Sequence, residues 1–306
     1  MKRLLPCLLS LTLIAGCAAG GTATTTPAPE HPADEVVVVM GPTSEPEAGF
    51  DPAFGWGAGE HVHEPLIQST LTVTNADLTI GYDLATGMEV SDDGLTWTVT
   101  IRDDVSFTDG EPLTAEDVAF TYNTVKATSS VNDFTMLDSA EAVDDTTVLF
   151  HMTTPYSIWP YTMAIVGIVP EHAYDSATYG SNPIGSGRYT LVQWDRGEQI
   201  ILEANPDYYG EAPKMKKVTI LFMEEDAAFL AVQAGQADLA YTSAVYADQS
   251  PAGYSLLSCE SVDNRGINLP TEGNPVTADL AVRRAINIGV DREEMIQNVL
   301  NGYGTP

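Results

Sequence analysis

Between Tyr82 and Lys126 the chain reads YDLATGMEVSDDGLTWTVTIRDDVSFTDGEPLTAEDVAFTYNTVK, and this stretch restricts the fold more than any other. Trp97, Val99 and Ile101 alternate with Thr96, Thr98 and Thr100, the period of two of a half-buried strand. Ser91-Asp92-Asp93-Gly94 is a tight turn, which predicts a hairpin between Glu89–Val90 and Leu95–Ile101. A second turn, Thr108-Asp109-Gly110, precedes a helix capped by Thr114, with Glu116 and Asp117 at the positive end of its dipole. Val118, Tyr122 and Val125 then fall on one helical stripe, so a strand pair and a helix share an apolar face.

The order of these residues resembles the family 5 extracellular solute-binding proteins of ABC importers, the peptide/nickel receptors. Asp93-Gly94, Arg102, Phe107, Asp109-Gly110, Thr114-Ala115, Asp117-Val118 and Phe120 all fall in register on that family's pattern. The resemblance continues downstream. Gly49-Phe50-Asp51-Pro52 matches the element after the family's first strand, and Val62 to Ile67 matches its following helix region. Pro170-Glu171-His172, Asn182 to Tyr189, Asn205 to Tyr209 and Ala234 to Asp238 match further elements, as do Asp279 to Asp291.

That resemblance implies an α/β, periplasmic-binding-protein-like fold (type II, cluster C) with two lobes closing around a solute by hinge motion. Lobe one is expected over 36–262, with a hairpin-rich subdomain at about 65–170, and 263–306 as the crossover and start of lobe two. Family members continue well past Pro306, so the resemblance implies lobe one nearly whole and lobe two only begun. The length of 306 residues suits about two domains. The expected role is capture of oligopeptides for an importer's permease subunits and their ATPases; a nickel chelate, haem or another solute is the alternative within the family. A monomer with no cofactor is expected.

The periodic elements outside the opening stretch agree. Val36–Met40 is an apolar run suited to a strand covered on both faces. Val148–Met152 is a strand after the Asp144-Asp145-Thr146 turn, and Trp194 to Asn205 is strand–turn–strand around Asp195-Arg196-Gly197. Lys216–Phe222, a helix from Glu224 to Ala234 stopped by Gly235, and Asp238–Ala240 form the strand–helix–strand crossover of a parallel sheet. Asp291 caps a last helix, with Glu294 three residues on.

At the N-terminus, Met1-Lys2-Arg3 is a basic start and Leu4 to Ala15 an apolar run too short to span a membrane. It ends Leu13-Ile14-Ala15-Gly16-Cys17, which resembles the bacterial lipobox and makes residues 1–16 a lipoprotein signal peptide and Cys17 the acylated residue; an ordinary secretory signal is the other reading. Residues 17–35, small, polar and Pro-rich, are expected to be a disordered tether. The expected location is extracytoplasmic, lipid-anchored to the outer face of the bacterial cell membrane or periplasmic. Cys259 is then alone in the mature body, so neither an intrachain disulfide nor a cysteine-based metal site can form.

Charge restricts the partners. Thirteen Lys and Arg against 43 Asp and Glu give −30, which disfavours nucleic acid. A well-solvated surface is the plain reading and attraction of cations the sharper one. With this many carboxylates, adjacent pairs such as Asp92-Asp93, Asp103-Asp104 and Glu224-Glu225 say little about acid–base catalysis. No G-x-S-x-G, H-E-x-x-H, P-loop or C-x-x-C occurs, so a secreted hydrolase is the weaker reading.

Seven residues are candidate ligand contacts. Trp56 lies between glycines and suits either a wall of the ligand site or the core. His61 and His63 share one side of an extended segment, and imidazoles there suit a metal, a hydrogen-bonded ligand or surface packing; without a third ligand no metal is assigned. Arg188 stands where the family has proline, and its guanidinium suits a carboxylate clamp or a solvated turn. Asn264, Arg265 and Asn268 lie on the segment that the resemblance places at the hinge.

Overall fold

The computed structural model describes residues 32–55, 65–129, 132–249, 251, 253–258 and 266–306. In chain order its strands and helices begin with β1 (Glu35–Met40), β2 (Thr72–Thr74), β3 (Ile80–Tyr82), β4 (Ala85–Val90) and β5 (Thr96–Ile101). There follow α1 (Ala115–Thr128), β6 (Leu137–Asp144), β7 (Thr147–Met152), α2 (Trp159–Met163), β8 (Tyr189–Asp195) and β9 (Gln199–Ala204). The remainder is β10 (Lys217–Phe222), α3 (Glu225–Gln233), β11 (Leu239–Ala240), α4 (Ala244–Ala247), α5 (Leu280–Gly289) and α6 (Arg292–Val299).

The opening stretch folds as its periodicity requires. β4 and β5 pair antiparallel, and β7 and β6 extend them into a four-stranded sheet in the order β4-β5-β7-β6. Trp97, Val99 and Ile101 point inward with Val148, Phe150 and Met152, while Thr96, Thr98 and Thr100 face outward. Helix α1 lays Val118, Tyr122 and Val125 onto that inner face. Its start is a capping box: the Asp117 carboxylate accepts the Thr114 N–H at 2.9 Å and the Thr114 hydroxyl at 3.2 Å. Tyr122, Phe134, Phe150 and Trp159 pack edge-on or tilted within this core, with centroids 4.8–6.1 Å apart.

A five-stranded sheet in the order β11-β1-β10-β9-β8 forms the second layer. β1 lies between β10 and β11 and is parallel to both, so the crossover through α3 carries the chain past β1 rather than to an adjacent strand. Val39 packs with Ala228, Ala231 and Val232 of α3 on one face, and Met40 packs with Phe50, Ile200 and Phe222 on the other. Burying both faces of a parallel sheet explains the unbroken valines of β1. Asp238 locks the crossover: its N–H donates to the Val37 carbonyl at 2.9 Å and its carboxylate accepts the Val37 N–H at 2.7 Å. Gly235, at φ +71°, ends the segment after α3 in the left-handed region open to glycine.

One expectation is corrected. Pro65–Ile67, matched to a helical region, has no helix. Its carbonyls serve another element: Ile67 O accepts the Gly187 N–H at 2.7 Å and Leu66 O the Tyr189 N–H at 2.9 Å. Gly185 and Gly187 permit this approach, since a Cβ on Gly185 would lie 2.0 Å from Ile67 O.

Toward the C-terminus, Asp279 and Asp291 cap α5 and α6 by accepting the Ala281 and Glu294 N–H groups at 2.8 and 2.9 Å. Neither helix buries a residue. No helix among the described residues is long and apolar enough to cross a membrane.

Candidate functional site

Because β1, β10 and β11 run the same way, their carboxyl ends, Met40, Phe222 and Ala240, lie along one edge of the sheet. Three connections leave that edge, at 41–45, 223–224 and 241–243. In open α/β sheets, ligands settle outside the carboxyl ends of parallel strands, where neighbouring connections diverge and leave a crevice. This edge is the candidate site.

The connection after β1 is held at two places. Near its start, the half-buried Glu45 carboxylate accepts the Trp194 indole N–H at 2.8 Å and the Gly197 N–H at 2.9 and 3.0 Å. Both donors belong to the β8–β9 hairpin, Trp194 near the end of β8 and Gly197 in the turn. The Arg196 guanidinium lies 4.1 Å over the Trp194 ring, and Phe50 meets that ring edge-on at 5.4 Å. Farther along, the Phe50 N–H donates to Gly180 O at 2.8 Å, and Gln68 donates to Phe50 O at 2.7 Å.

Asp51 next to it is buried, accepting the Ala53 N–H and the Tyr174 hydroxyl, each at 2.9 Å. Burial pushes its carboxyl above the ordinary carboxylate value, and the two hydrogen bonds oppose that shift. Burial likewise raises the Tyr179 hydroxyl, which donates to Ile184 O at 2.7 Å. The connection leaving β1 is therefore fastened at Glu45 and again at Phe50 and Asp51.

After β11, Tyr241 projects into solvent, 68% exposed, while Thr242 and Ser243 bend back to the start of α3. Glu225 accepts the Thr242 hydroxyl at 3.0 Å and the Ser243 N–H. Desolvation alone would raise the Glu225 carboxyl, but the Ser243 and Thr242 donors outweigh it and hold it below its ordinary value. With Glu225 and Asp226 in the first turn of α3, this edge repels anions despite the helix dipole. It offers an exposed aromatic ring and carboxylates, which suit a polar ligand with donor N–H groups.

Among the residues singled out in the sequence, Cys17, Trp56, His61, His63, Asn264 and Arg265 lie outside the described residues. Asn268 is exposed on the irregular segment before α5. Arg188 sits at the opposite, amino edge of the sheet, where β8 begins beside the end of β9. Its guanidinium lies 5.8 Å from the Tyr208 ring centre, and it shares a small cleft with Asp83, Gln68 and Ser69. The structure thus separates Arg188 from the carboxyl-edge connections.

Nearby, Arg102 packs 4.6 Å over Tyr209 and is held by Asp104 at 2.6 and 2.8 Å, beside an open polar cavity of about 520 Å³ lined also by Asp83 and Asp103. Among the described residues no three His, Cys, Asp or Glu side chains assemble as metal ligands. Glu45, Trp194, Arg196 and Tyr241 escaped the sequence reading. Glu45 and Trp194 are 149 positions apart, and no local spacing connects them.

Comparison with known proteins identifies the family. The model of the bacterial extracellular solute-binding proteins, family 5 Middle, matches residues 79–306. Protein XP55 of Streptomyces lividans is 34% identical over 283 residues, covering 88% of this chain and 51% of its own length. Among solved structures, NikZ from Campylobacter jejuni in complex with Ni(L-His) superposes with a TM-score of 0.76 at 25% identity, over 90% of this chain and 57% of that one. The oligopeptide-binding protein AppA from Bacillus subtilis, in complex with a nonapeptide, gives 0.70 at 27% identity, over 89% and 57%. The chain spans about half the length of the curated relatives it matches.

Proposed function

Since the chain belongs to the bacterial extracellular solute-binding proteins of family 5, we propose that it forms the first lobe, over 36–262, of a receptor that captures peptides and passes them to an ABC importer. The observation that carries this is the carboxyl edge of β1, β10 and β11, where three connections diverge and the Tyr241 ring is exposed. A peptide offers what such an edge can hold: backbone N–H and C=O groups and a cationic amine, gripped without regard to most side chains. The protein binds and releases; it breaks no bond.

Trp56, His61, His63, Asn264, Arg265 and Asn268 belong to the proposal as ligand contacts. Acylation of Cys17 and the tether after it hold the receptor at the outer face of the cell membrane. The permease subunits and their ATPases are its partners.

Isothermal titration of the full-length protein with short peptides tests the reading, with dissociation constants at or below the micromolar range expected. A second reading is favoured by the nickel–histidine complex of the structural neighbour from Campylobacter jejuni. Heat on titration with nickel–histidine and none with peptides would select it, and no response to either would end both.

A further inference from the structure

The Glu45 carboxylate and the β8–β9 turn form a latch whose purpose is not evident from the sheet itself. β8 and β9 are already joined by an antiparallel ladder, broken by one register shift after Leu191, and β1 by ladders to β10 and β11. The latch adds nothing to those ladders. It ties the connection leaving β1 to a hairpin two strands away, through three contacts on a single carboxylate: the Trp194 indole N–H at 2.8 Å and the Gly197 N–H at 2.9 and 3.0 Å. Gly197, at φ +77°, adopts the left-handed turn that carries its N–H. Arg196 closes the latch from above, 4.1 Å over the Trp194 ring, and donates to Glu47 O at 3.4 Å.

We infer that Glu45 and Trp194 are positioning residues for ligand capture, fixing the connection after β1 against the β8–β9 turn so that the carboxyl edge is preformed before the ligand arrives. The inference rests on the reading of that edge as the binding site. Hydrogen bonds to a carboxylate are the stronger kind, and a loop ordered in advance loses less entropy when it meets a ligand. Trp194 also packs against Phe50, so it links the latch to the second fastening of the same connection at Phe50 and Gly180. Affinity should therefore depend on a residue pair that need not touch the ligand.

The test uses the full-length protein with Glu45→Gln, Trp194→Phe and, as a stability-matched control in the other sheet, Val99→Ala. Trp194→Phe keeps an aromatic ring beside Phe50 and Arg196 while removing the N–H donor and one ring of the indole, and Glu45→Gln keeps the side chain's size while removing its charge. Hydrogen exchange without ligand should quicken at the Gly49 and Phe50 amides in both latch variants and stay unchanged there in the control. Peptide affinity should fall about three- to tenfold in the latch variants, the equivalent of one weakened charge-assisted hydrogen bond, and hold in the control.

Unchanged exchange at residues 45–50 would overturn the latch, and quickened exchange with unchanged affinity would overturn its role in capture. Equal loss of affinity in Val99→Ala would reduce the effect to general stability and overturn the inference as well. A wild-type protein that binds neither peptide nor nickel–histidine would bring down the proposed function, and the positioning role with it. Wild-type binding matched by the latch variants would bring down the positioning role alone.

Discussion

Tyr174 donates its phenolic hydrogen to the buried carboxylate of Asp51 at 2.9 Å, joining residues 123 positions apart. The bond closes the far end of the connection that follows β1. Replacing Tyr174 with Phe leaves a buried carboxylate oxygen without that donor, at a cost of about 1–3 kcal/mol. The cost depends on pH. Burial already holds the Asp51 carboxyl above its ordinary 3.8, so the folded protein keeps that proton longer than the unfolded chain. Stability therefore falls as pH rises from the ordinary value through the folded one, and the penalty is complete above it. Tyr174→Phe removes a bond that favours the charged form and raises the folded value further. Urea unfolding should show a larger deficit for the variant near neutral pH than in acid below the ordinary carboxylate value.

Two glycine substitutions should differ sharply. A Cβ on Gly185 would meet Ile67 O at 2.0 Å, whereas Gly197 has open space around it and only a positive φ of +77°. Gly197→Ala should cost about 1–2 kcal/mol, the ordinary left-handed penalty. Gly185→Ala must displace the backbone that receives β8, and about 3 kcal/mol or more is expected. Thermal unfolding of the pair checks the order.

The Tyr122 hydroxyl is fully buried in the aromatic core and has no hydrogen-bond partner among the described residues. Tyr122→Phe removes a polar atom already carrying its desolvation cost and keeps the ring contacts with Phe150 and Trp159. Stability should stay level or rise by up to about 1 kcal/mol. Val118→Ala on the same helix face should lose about 1–3 kcal/mol through the cavity it leaves. A loss in Tyr122→Phe equal to that of Val118→Ala would reveal a partner for the hydroxyl.

His172 lies 2.8 Å from Asp109, tying the turn after Pro170 to the Thr108-Asp109-Gly110 turn. The hydrogen bond to Asp109 raises the imidazole above its ordinary 6.5, with Asp117 and Glu111 contributing. A raised folded value means that the stabilisation is complete below the ordinary pKa and disappears as pH rises through the folded one. The pair is exposed, so its contribution is below about 1 kcal/mol. His172→Gln should flatten the melting temperature against pH between about 6 and 8, with wild type and variant converging at the alkaline end.

Local elements were legible in the sequence because their causes are local. Alternation placed Trp97, Val99 and Ile101 inward, a capping residue started α1, and Gly235 stopped the segment after α3. Strand β6 carries no such signal: LDSAEAVD mixes acids and alanines and has two register shifts. Helix α2 has proline as its second residue and spans five residues, too few to show a period. The site was harder still. Arg188 drew attention by replacing a proline, yet the residue that holds the carboxyl edge is Glu45, whose donors come from another hairpin. A carboxylate in a chain with 43 of them has no local mark that sets it apart.

Strand β1 takes its neighbours from far downstream: Glu35 stands opposite Lys217, and Val38 opposite Leu239. The β4-β5-β7-β6 sheet, by contrast, is contained within residues 85–152. Contacts between distant segments form slowly because a long chain must first be drawn together. The four-stranded sheet can therefore assemble early, while EVVVVM waits as an adhesive, β-prone hexapeptide with neither edge satisfied. A nascent chain halted before residue 217 would have its hairpin sheet and helix α1 but no place for its first strand, and chaperones should find it through those valines.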